Sequence, residues 1–142
     1  MSTRTQYDAD LAALKASLAK MGQLSADAVE DALESLCTAD AEGAKEIIKG
    51  DSEVNRMERD IEHRCMTLLL RQQPVAGDLR RISTTMKVVT DVERIGDQAE
   101  DIAEIVRYLA GRSAENDDLL REMARSTIHM VKESVDAYVQ RD

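Results

Sequence analysis

Four carboxylates on a predicted helix are the residues of this chain with the most evident chemical potential: Glu93, Asp97, Glu100 and Asp101. Glu93 and Asp97 stand four residues apart, so they share one helical face, and like charges at that spacing cost a helix about 0.2–0.5 kcal/mol. Hard divalent or trivalent cations take oxygen ligands, and carboxylates can bridge several ions. Gly96 would let such ions or a neighbouring helix approach closely. The spacing is therefore compatible with a cation site.

The carboxylates continue a line of apolar residues on the same helix. At about 100° per residue, the line begins with apolar side chains and ends with acidic ones. It consists of Leu79, Ile82, Met86, Val89, Glu93, Asp97, Glu100 and Glu104. A second apolar stripe lies roughly opposite and consists of Val88, Val92, Ile95, Ala99, Ile102, Val106 and Leu109. We expect the second stripe to anchor the helix and the acidic line to stay exposed.

Other uses of the acidic line remain open. It could be a solvated face balanced by Arg94 and Lys87, since paired carboxylates on helices are common. It could also be a docking face for basic protein loops. A di-iron carboxylate enzyme would need Glu-x-x-His motifs, and neither His63 nor His129 belongs to one. No catalytic triad order, nucleotide-binding glycine loop or zinc motif is present, so we expect no enzyme activity.

Composition places these residues in an all-α protein. The 142 residues include no Phe or Trp and only one Pro, and they carry a net charge of −9. That charge argues against nucleic acid as a direct partner. The N-terminus lacks the apolar run of a signal peptide, and no apolar run is long enough to span a membrane. We expect a cytoplasmic protein in which Cys37 and Cys65 are reduced core thiols.

Four helices can be predicted from apolar spacing and cap residues. The first covers about 5–38, and the second starts after a cap at Asp40, with a weak point or break at Gly50-Asp51. Pro74 ends the second helix. The third covers about 75–110, with Gly111 as its stop, and the fourth runs from about 116 or 117 to the end. We predict an up-and-down helical bundle.

The first and fourth helices also align with each other without gaps. Leu18 aligns with Leu120, Met21 with Met123 and Leu33 with Val135, so the offset is one three-helix unit. We predict a three-helix repeat in residues 1–112 and the first helix of an incomplete second repeat in residues 113–142. The Val131, Val135 and Tyr138 face would then lack its partner helices, which predicts a homodimer or an exchanged helix.

The stretch LLLRQQPVAGDLRRISTTMKVVTDVERIGDQAEDIAEI, residues 68–105, closely resembles the PhoU family of bacterial phosphate-uptake regulators. Its Gln-Gln-Pro-Val-Ala-x-Asp-Leu-Arg run followed by Glu-Arg-Ile-Gly-Asp is specific in combination. MGQLSADAVEDAL in the first helix and GDSEVNRMERDIEHRC in the second are also similar to that family. Family members consist of two three-helix units, so a complete member would be longer than this chain.

The resemblance implies a regulator rather than an enzyme. It implies an adaptor between a phosphate ABC transporter and a membrane-bound sensor histidine kinase that restrains phosphate uptake and the phosphate-starvation response. The expected location is the cytoplasm, including the inner face of the membrane when the adaptor is held there by its partners. Two alternatives remain: a carboxylate-bridged metalloprotein with a redox or storage role, and a metal-free helical interaction module.

The resemblance also implies metal binding. Some family members hold iron or other metals in multinuclear surface clusters through a Glu/Asp-x-x-x-Asp motif, which Glu93 and Asp97 match here. The position four beyond Asp97, often Asn in the family, is Asp101. Asp27 and Asp31 form a similar pair, to which the resemblance extends the metal role. The implied cofactor is a multinuclear Fe cluster, or Zn, Mn or Mg.

Overall fold

A computed structural model shows four helices and, in the part of the chain that it describes, no strand. It describes residues 3–72, 76–108 and 117–140. The helices are α1 (Thr3–Thr38), α2 (Ala41–Gln72), α3 (Ala76–Tyr108) and α4 (Asp117–Gln140). Helices α1, α2 and α3 pack against one another, and α4 packs against α1. The predicted all-α up-and-down bundle is confirmed.

The turn between α1 and α2 is short and capped on both sides. Ala39 has a left-handed backbone, with a φ of 56°. The amide of Asp40 donates to the carbonyl of Ser35 at 3.0 Å, which closes the end of α1. The Asp40 carboxylate then accepts a hydrogen bond from the amide of Gly43 at 3.0 Å, as an N-cap residue does. The predicted cap at Asp40 is confirmed.

The interior changes in character along the bundle. Toward the α2–α3 turn it is filled by large apolar side chains, including Leu14, Leu18, Ile61, Ile82 and Val89; we call this end the apolar half. Toward the α1–α2 turn the buried residues are mostly small, and they form two clusters that we call the small-residue half. These clusters consist of Val29, Ala32 and Ala99, and of Ala44, Ala103 and Val106. Small side chains let the helix backbones approach closely in this half.

The predicted break in α2 is wrong, and only some of the apolar residues of α3 are buried. Helix α2 continues without interruption through Gly50 and Asp51, because the antiparallel packing of α2 on α1 and α3 outweighs one exposed glycine. Leu79, the first apolar residue of the acidic line, is 45% exposed near the start of α3. In the second stripe of α3, Val92, Ala99 and Val106 are buried as expected. Pro74, Leu109 and Gly111 lie outside the described residues.

Helix α4 lies antiparallel against α1. Arg121 pairs with Glu34 at 3.1 Å near one end, and Val135 packs against Gly22 near the other. Leu33 and Ala124 line one small pocket between the same helices. In the gapless alignment of the two helices, Gly22 corresponds to Ala124 and Leu33 to Val135. Exchanging α1 with α4 therefore converts the Gly22–Val135 pair into the Ala124–Leu33 pair. The division of the chain at residue 112 stays a prediction.

The face of α4 predicted to be open is in fact covered. Val131, Val135 and Tyr138 are half-buried, and the Tyr138 hydroxyl hydrogen-bonds with Thr85. The prediction was wrong because Val135 packs on Gly22 of α1 and Tyr138 packs against the apolar core of the bundle. The large apolar side chains that α4 exposes lie about 100° around the helix from this face: Leu119, Met123 and Met130, each more than half exposed.

Cys37 and Cys65 are both buried, as predicted. Burial raises the pKa of the Cys65 thiol to about 11. None of the described helices is long and apolar enough to cross a membrane.

Candidate metal centre

The acidic line of α3 faces α2 rather than open solvent. Glu93, Asp97 and Glu100 are half-buried, and only Glu104 at the end of the line is exposed. The expectation that the whole acidic line stays exposed, from Glu93 through Asp97 and Glu100 to Glu104, was therefore wrong. In an antiparallel pair of helices, the side of α3 that carries this line also borders the neighbouring helix. The carboxylates consequently lie in the groove between α2 and α3.

Asp51 on α2 completes a group of three carboxylates with Asp97 and Glu100. One oxygen atom of each residue can be chosen so that all three lie within 4.8 Å of one another. Cation–oxygen distances are about 2.0–2.6 Å for Mg²⁺ and Ca²⁺, so one ion placed between the three could reach them all. The three side chains are half-buried, which limits their access to water.

Asp51 has a buried atom that lacks a partner. Its Oδ2 accepts a hydrogen bond from Asn55 Nδ2 at 3.2 Å. Its Oδ1 is buried and, when the neighbouring carboxylates are ionised and cannot donate, has no hydrogen-bond partner among the described residues. A buried carboxylate oxygen without a partner carries a desolvation cost that a bound cation would remove. This atom is the structural observation that best fits a metal at the group.

Carboxylate crowding raises the pKa of two glutamates in the groove. A hydrogen bond with Asp97, then partial burial and the charge of Asp97, raise the pKa of Glu93 to about 7. A hydrogen bond with Asp51, then partial burial and the charges of Asp51 and Asp97, raise the pKa of Glu100 to about 7. The metal-free groove therefore holds protons near neutral pH, as closely spaced carboxylates do when no cation balances them.

The nearby basic side chains do not provide that balance. Neither Arg94 nor Lys87 forms an ion pair with Glu93, Asp97 or Glu100 in the described structure. Arg94 and Lys87 are both exposed. The balanced, fully solvated face considered from the sequence is therefore not what the described residues form.

Asp27 and Asp31 lie on α1, at a second cleft that adjoins the same group. The cleft has a volume of about 560 Å³, and its lining includes Asp27, Asp31, Asp51 and Gly96. Asp27 accepts a hydrogen bond from Gln23 at 2.8 Å. Partial burial, then the charges of Asp27 and Glu30, raise the pKa of Asp31. Asp51 and Gly96 thus border both the α2–α3 groove and the acidic residues of α1.

The other predicted ligands occupy different positions. Asp101 is exposed and lies outside the group of three, although its charge adds to the raised pKa of Glu100. Glu93 lies outside the group of three, but it stands one helical turn before Asp97, which raises its pKa. Of the predicted ligands, the structure thus gathers Asp97 and Glu100, places Glu93 beside them, leaves Asp101 on the surface, and sets Asp27 and Asp31 across the adjoining cleft.

Asp51 was not predicted as a ligand, because the sequence placed it at an expected weak point or break of the second helix. One signal in the sequence could have found it. Asp51 and Asp97 lie equally far from Pro74 along the chain, on either side. Two helices that fold back on each other at Pro74 would bring residues at equal distances together.

The chain matches known proteins over most of its length. The family model described as "PhoU domain" matches residues 18–106. A relative from Clostridium acetobutylicum named phosphate-specific transport system accessory protein PhoU homolog is 40% identical over 99% of this chain and 65% of its own length. A relative from Escherichia coli, named phosphate-specific transport system accessory protein PhoU, is 31% identical over 96% of this chain and 57% of its own length.

Two solved structures share the fold. The crystal structure of PhoU from Pseudomonas aeruginosa has a TM-score of 0.91 at 36% identity, covering 96% of this chain and 66% of that one. The regulatory protein PhoU from Streptococcus pneumoniae has a TM-score of 0.84 at 32% identity, covering 92% and 62%. The chain spans about three fifths of the length of the curated relatives that it matches. The match to the family model, together with these relatives, shows that this chain belongs to the PhoU family.

Proposed function

We propose that this chain is a regulatory accessory protein of phosphate uptake. In this proposal it acts as an adaptor between a phosphate ABC transporter and a sensor histidine kinase, and it restrains both uptake and starvation signalling when phosphate is plentiful. The observation that carries the proposal is the 40% identical relative named as an accessory protein of phosphate-specific transport, matched over 99% of this chain. The adaptor would act by protein contact and would catalyse no reaction.

The α2–α3 groove would give this adaptor a metal site. Asp51, Asp97 and Glu100 would hold the first ion, with Glu93 beside them and Asp27 and Asp31 across the adjoining cleft. The all-oxygen donor set fits Mg, Mn or Fe, and Zn also accepts carboxylate ligands. A bound ion would supply positive charge that offsets the crowded carboxylates, and it would join α2 to α3. The partial exposure of these residues leaves room for a cluster of more than one ion.

Metal occupancy would change the surface that partners meet. Without an ion, repulsion among the carboxylates favours separation of α2 from α3, and the groove presents negative charge to basic loops. With an ion, the same groove is less negative and the two helices are held together. Partner affinity would then depend on metal as well as on phosphate status, which is how the acidic line could tune an adaptor.

A genetic test addresses the adaptor role directly. We would express the chain in a bacterium that lacks its own family member and carries a reporter of the phosphate-starvation response. With phosphate plentiful, the chain should lower reporter output, and it should bind the transporter's ATP-hydrolysing subunit or the kinase in vitro. Unchanged reporter output and no binding to either partner, with folded protein present at normal levels, would contradict the proposal.

A metalloprotein with redox or storage chemistry is the second reading of the same site. It predicts that iron bound in the groove changes oxidation state reversibly, or accumulates well beyond the few ions that the carboxylates can ligate. Metal-loaded protein titrated with a reductant would separate the two readings. The regulatory proposal expects a small, fixed amount of metal whose identity matters less than its charge.

Homodimer formation also belongs to this proposal, through a different face from the one first predicted. The exposed side of α4 carries Leu119, Met123 and Met130, and a second copy could cover it by antiparallel helix pairing. Sedimentation velocity over a range of concentrations should show a dimer that Met123→Glu/Met130→Glu removes. A monomer at all concentrations, or a dimer that the double variant leaves intact, would count against this interface.

A further inference from the structure

A buried hydroxyl group on α1 borders the proposed metal site and is used by nothing else in the described structure. Ser25 is 0% exposed, and its Oγ is buried with no hydrogen-bond partner among the described residues. Ser25 Oγ and Asp51 Oδ1 are the two such buried side-chain oxygens found there. A buried hydroxyl without a partner costs free energy, so proteins usually pair it or replace it by an apolar residue.

The two oxygens without partners face the same point. A Cβ atom added at Gly96 would lie 3.6 Å from Ser25 Oγ and 3.7 Å from Asp51 Oδ1. Gly96 is part of α3, next to Asp97, so the point lies where α1, α2 and α3 meet. The absence of a side chain at Gly96 leaves this point, which is within 4 Å of both oxygens, open.

We propose that Ser25 is a positioning residue of the metal site, whose hydroxyl holds the ion, or a water bound to it, opposite Asp51. This inference rests on the metal role in the proposed function. It adds a neutral oxygen donor from α1 to the carboxylates of α2 and α3, so that one ion would tie three helices together rather than two. Metal binding would then also affect the packing of α4, because α4 packs on α1.

The inference predicts opposite effects of one substitution on two measurements. Ser25→Ala removes a buried polar atom that has no partner, so the metal-free protein should unfold at the same temperature or a higher one. The same change should weaken metal binding about tenfold or more, as losses of supporting groups around metal sites do. A purely structural serine would lower the unfolding temperature and leave metal affinity unchanged.

Ser17→Ala is the matched control. Ser17 lies on the same helix, but its Oγ accepts a hydrogen bond from Arg64 at 2.9 Å in the apolar half. Its replacement should lower the unfolding temperature slightly and leave metal binding unchanged. The two substitutions should therefore have opposite patterns of effect on the unfolding temperature and on metal affinity.

The experiment is a Mn²⁺ titration of chelator-treated protein, in which electron paramagnetic resonance measures free Mn²⁺, together with thermal unfolding without metal. Weakened binding in Ser25→Ala with unreduced stability, and the reverse in Ser17→Ala, is the expected result. Two results would overturn the inference and leave the metal site itself in place. One is wild-type metal affinity in Ser25→Ala, and the other is weakened metal binding together with a lower unfolding temperature. If the wild-type chain binds no Mn²⁺, the metal role and this inference fail together.

Discussion

The two ends of the three-helix unit use the same backbone arrangement for different purposes. The apolar half is filled by large side chains such as Leu14, Leu18 and Ile82, each fully or almost fully buried. The small-residue half is built on alanines and valines and borders a cleft of about 560 Å³. Residues 21–38 of α1 include four carboxylates and no Lys or Arg, and residues 90–108 of α3 include six carboxylates and two Arg.

This difference separates stability from the candidate site. Burial of large apolar side chains supplies most of the free energy of folding, so the apolar half can hold the helices in register. The small-residue half adds less burial, and its carboxylates repel one another in the groove. The small-residue half keeps its shape because the same helices continue from the apolar half. It can therefore contain crowded carboxylates that lower the free energy of unfolding.

The largest expected effect is the loss of stability when a buried side chain of the apolar half is truncated. Leu14→Ala should lower the free energy of unfolding by about 2–5 kcal/mol, because it removes a fully buried side chain and leaves a cavity. Chemical denaturation of the metal-free protein measures the change. Ala103→Gly in the small-residue half is the comparison, and its expected cost is about 1 kcal/mol from helix propensity. Equal losses would show that the two halves contribute alike to folding.

The pH dependence of stability should come from the small-residue half. The pKa of Glu93 and of Glu100 is about 7 in the folded chain, above the ordinary value of 4.5. The folded state therefore binds more protons between these two values, so stability should fall as pH rises from about 4.5 to 7 and above. Thermal unfolding of metal-free protein should show a higher midpoint at pH 5.5 than at pH 8.

The double variant Glu93→Gln/Glu100→Gln provides the control for this pH effect. It should be more stable than the wild type at pH 8, and it should lose most of the difference between the two pH values. Added Mn²⁺ should stabilise the wild type at pH 8 and should lose that effect at pH 5.5, because protons compete for the same oxygens. A pH dependence identical in wild type and double variant would place its origin elsewhere.

A smaller effect should separate stability from metal binding at one glycine. Gly96→Ala adds a Cβ at ordinary contact distance from Val54, 3.4 Å, so the change fits and should stabilise α3 by up to about 1 kcal/mol. The added methyl would stand between Ser25 and Asp51, so metal affinity should fall. Gly50→Ala meets nothing within 4 Å and should stabilise α2 by a similar amount with metal binding unchanged. Equal metal affinities in both variants would argue against an ion beside Gly96.

Most of the fold could be predicted from local signals. Apolar spacing, the cap at Asp40 and the one proline place four helices within a few residues of their ends. The break at Gly50 was predicted wrongly, because packing across three helices outweighs the propensity of one residue. The open face of α4 was also predicted wrongly, since the two apolar sides of that helix look alike in sequence and only the fold selects which one meets α1.

The candidate site could be predicted only in part. Spacing along one helix identifies Glu93 and Asp97, because neighbours on a single helix are fixed by its period. Asp51 comes from a different helix, and its approach depends on how α2 folds back on α3. Ser25 resembles any other small residue on a buried face until its lack of a partner is seen in three dimensions. Asp101 illustrates the opposite error, since its spacing is suitable and its side chain points to solvent.

Metal content is the measurement that most directly tests the central claim. Protein purified without an affinity tag would be assayed by mass spectrometry beside Glu93→Ala/Asp97→Ala and Asp51→Ala, with Asp101→Ala as the surface control. Iron, manganese or zinc bound to the wild type and to Asp101→Ala, and lost from the other two variants, is the predicted result. No metal in any of the four proteins, even after loading with each ion, would contradict the metal site and leave the groove as a docking face for partner proteins.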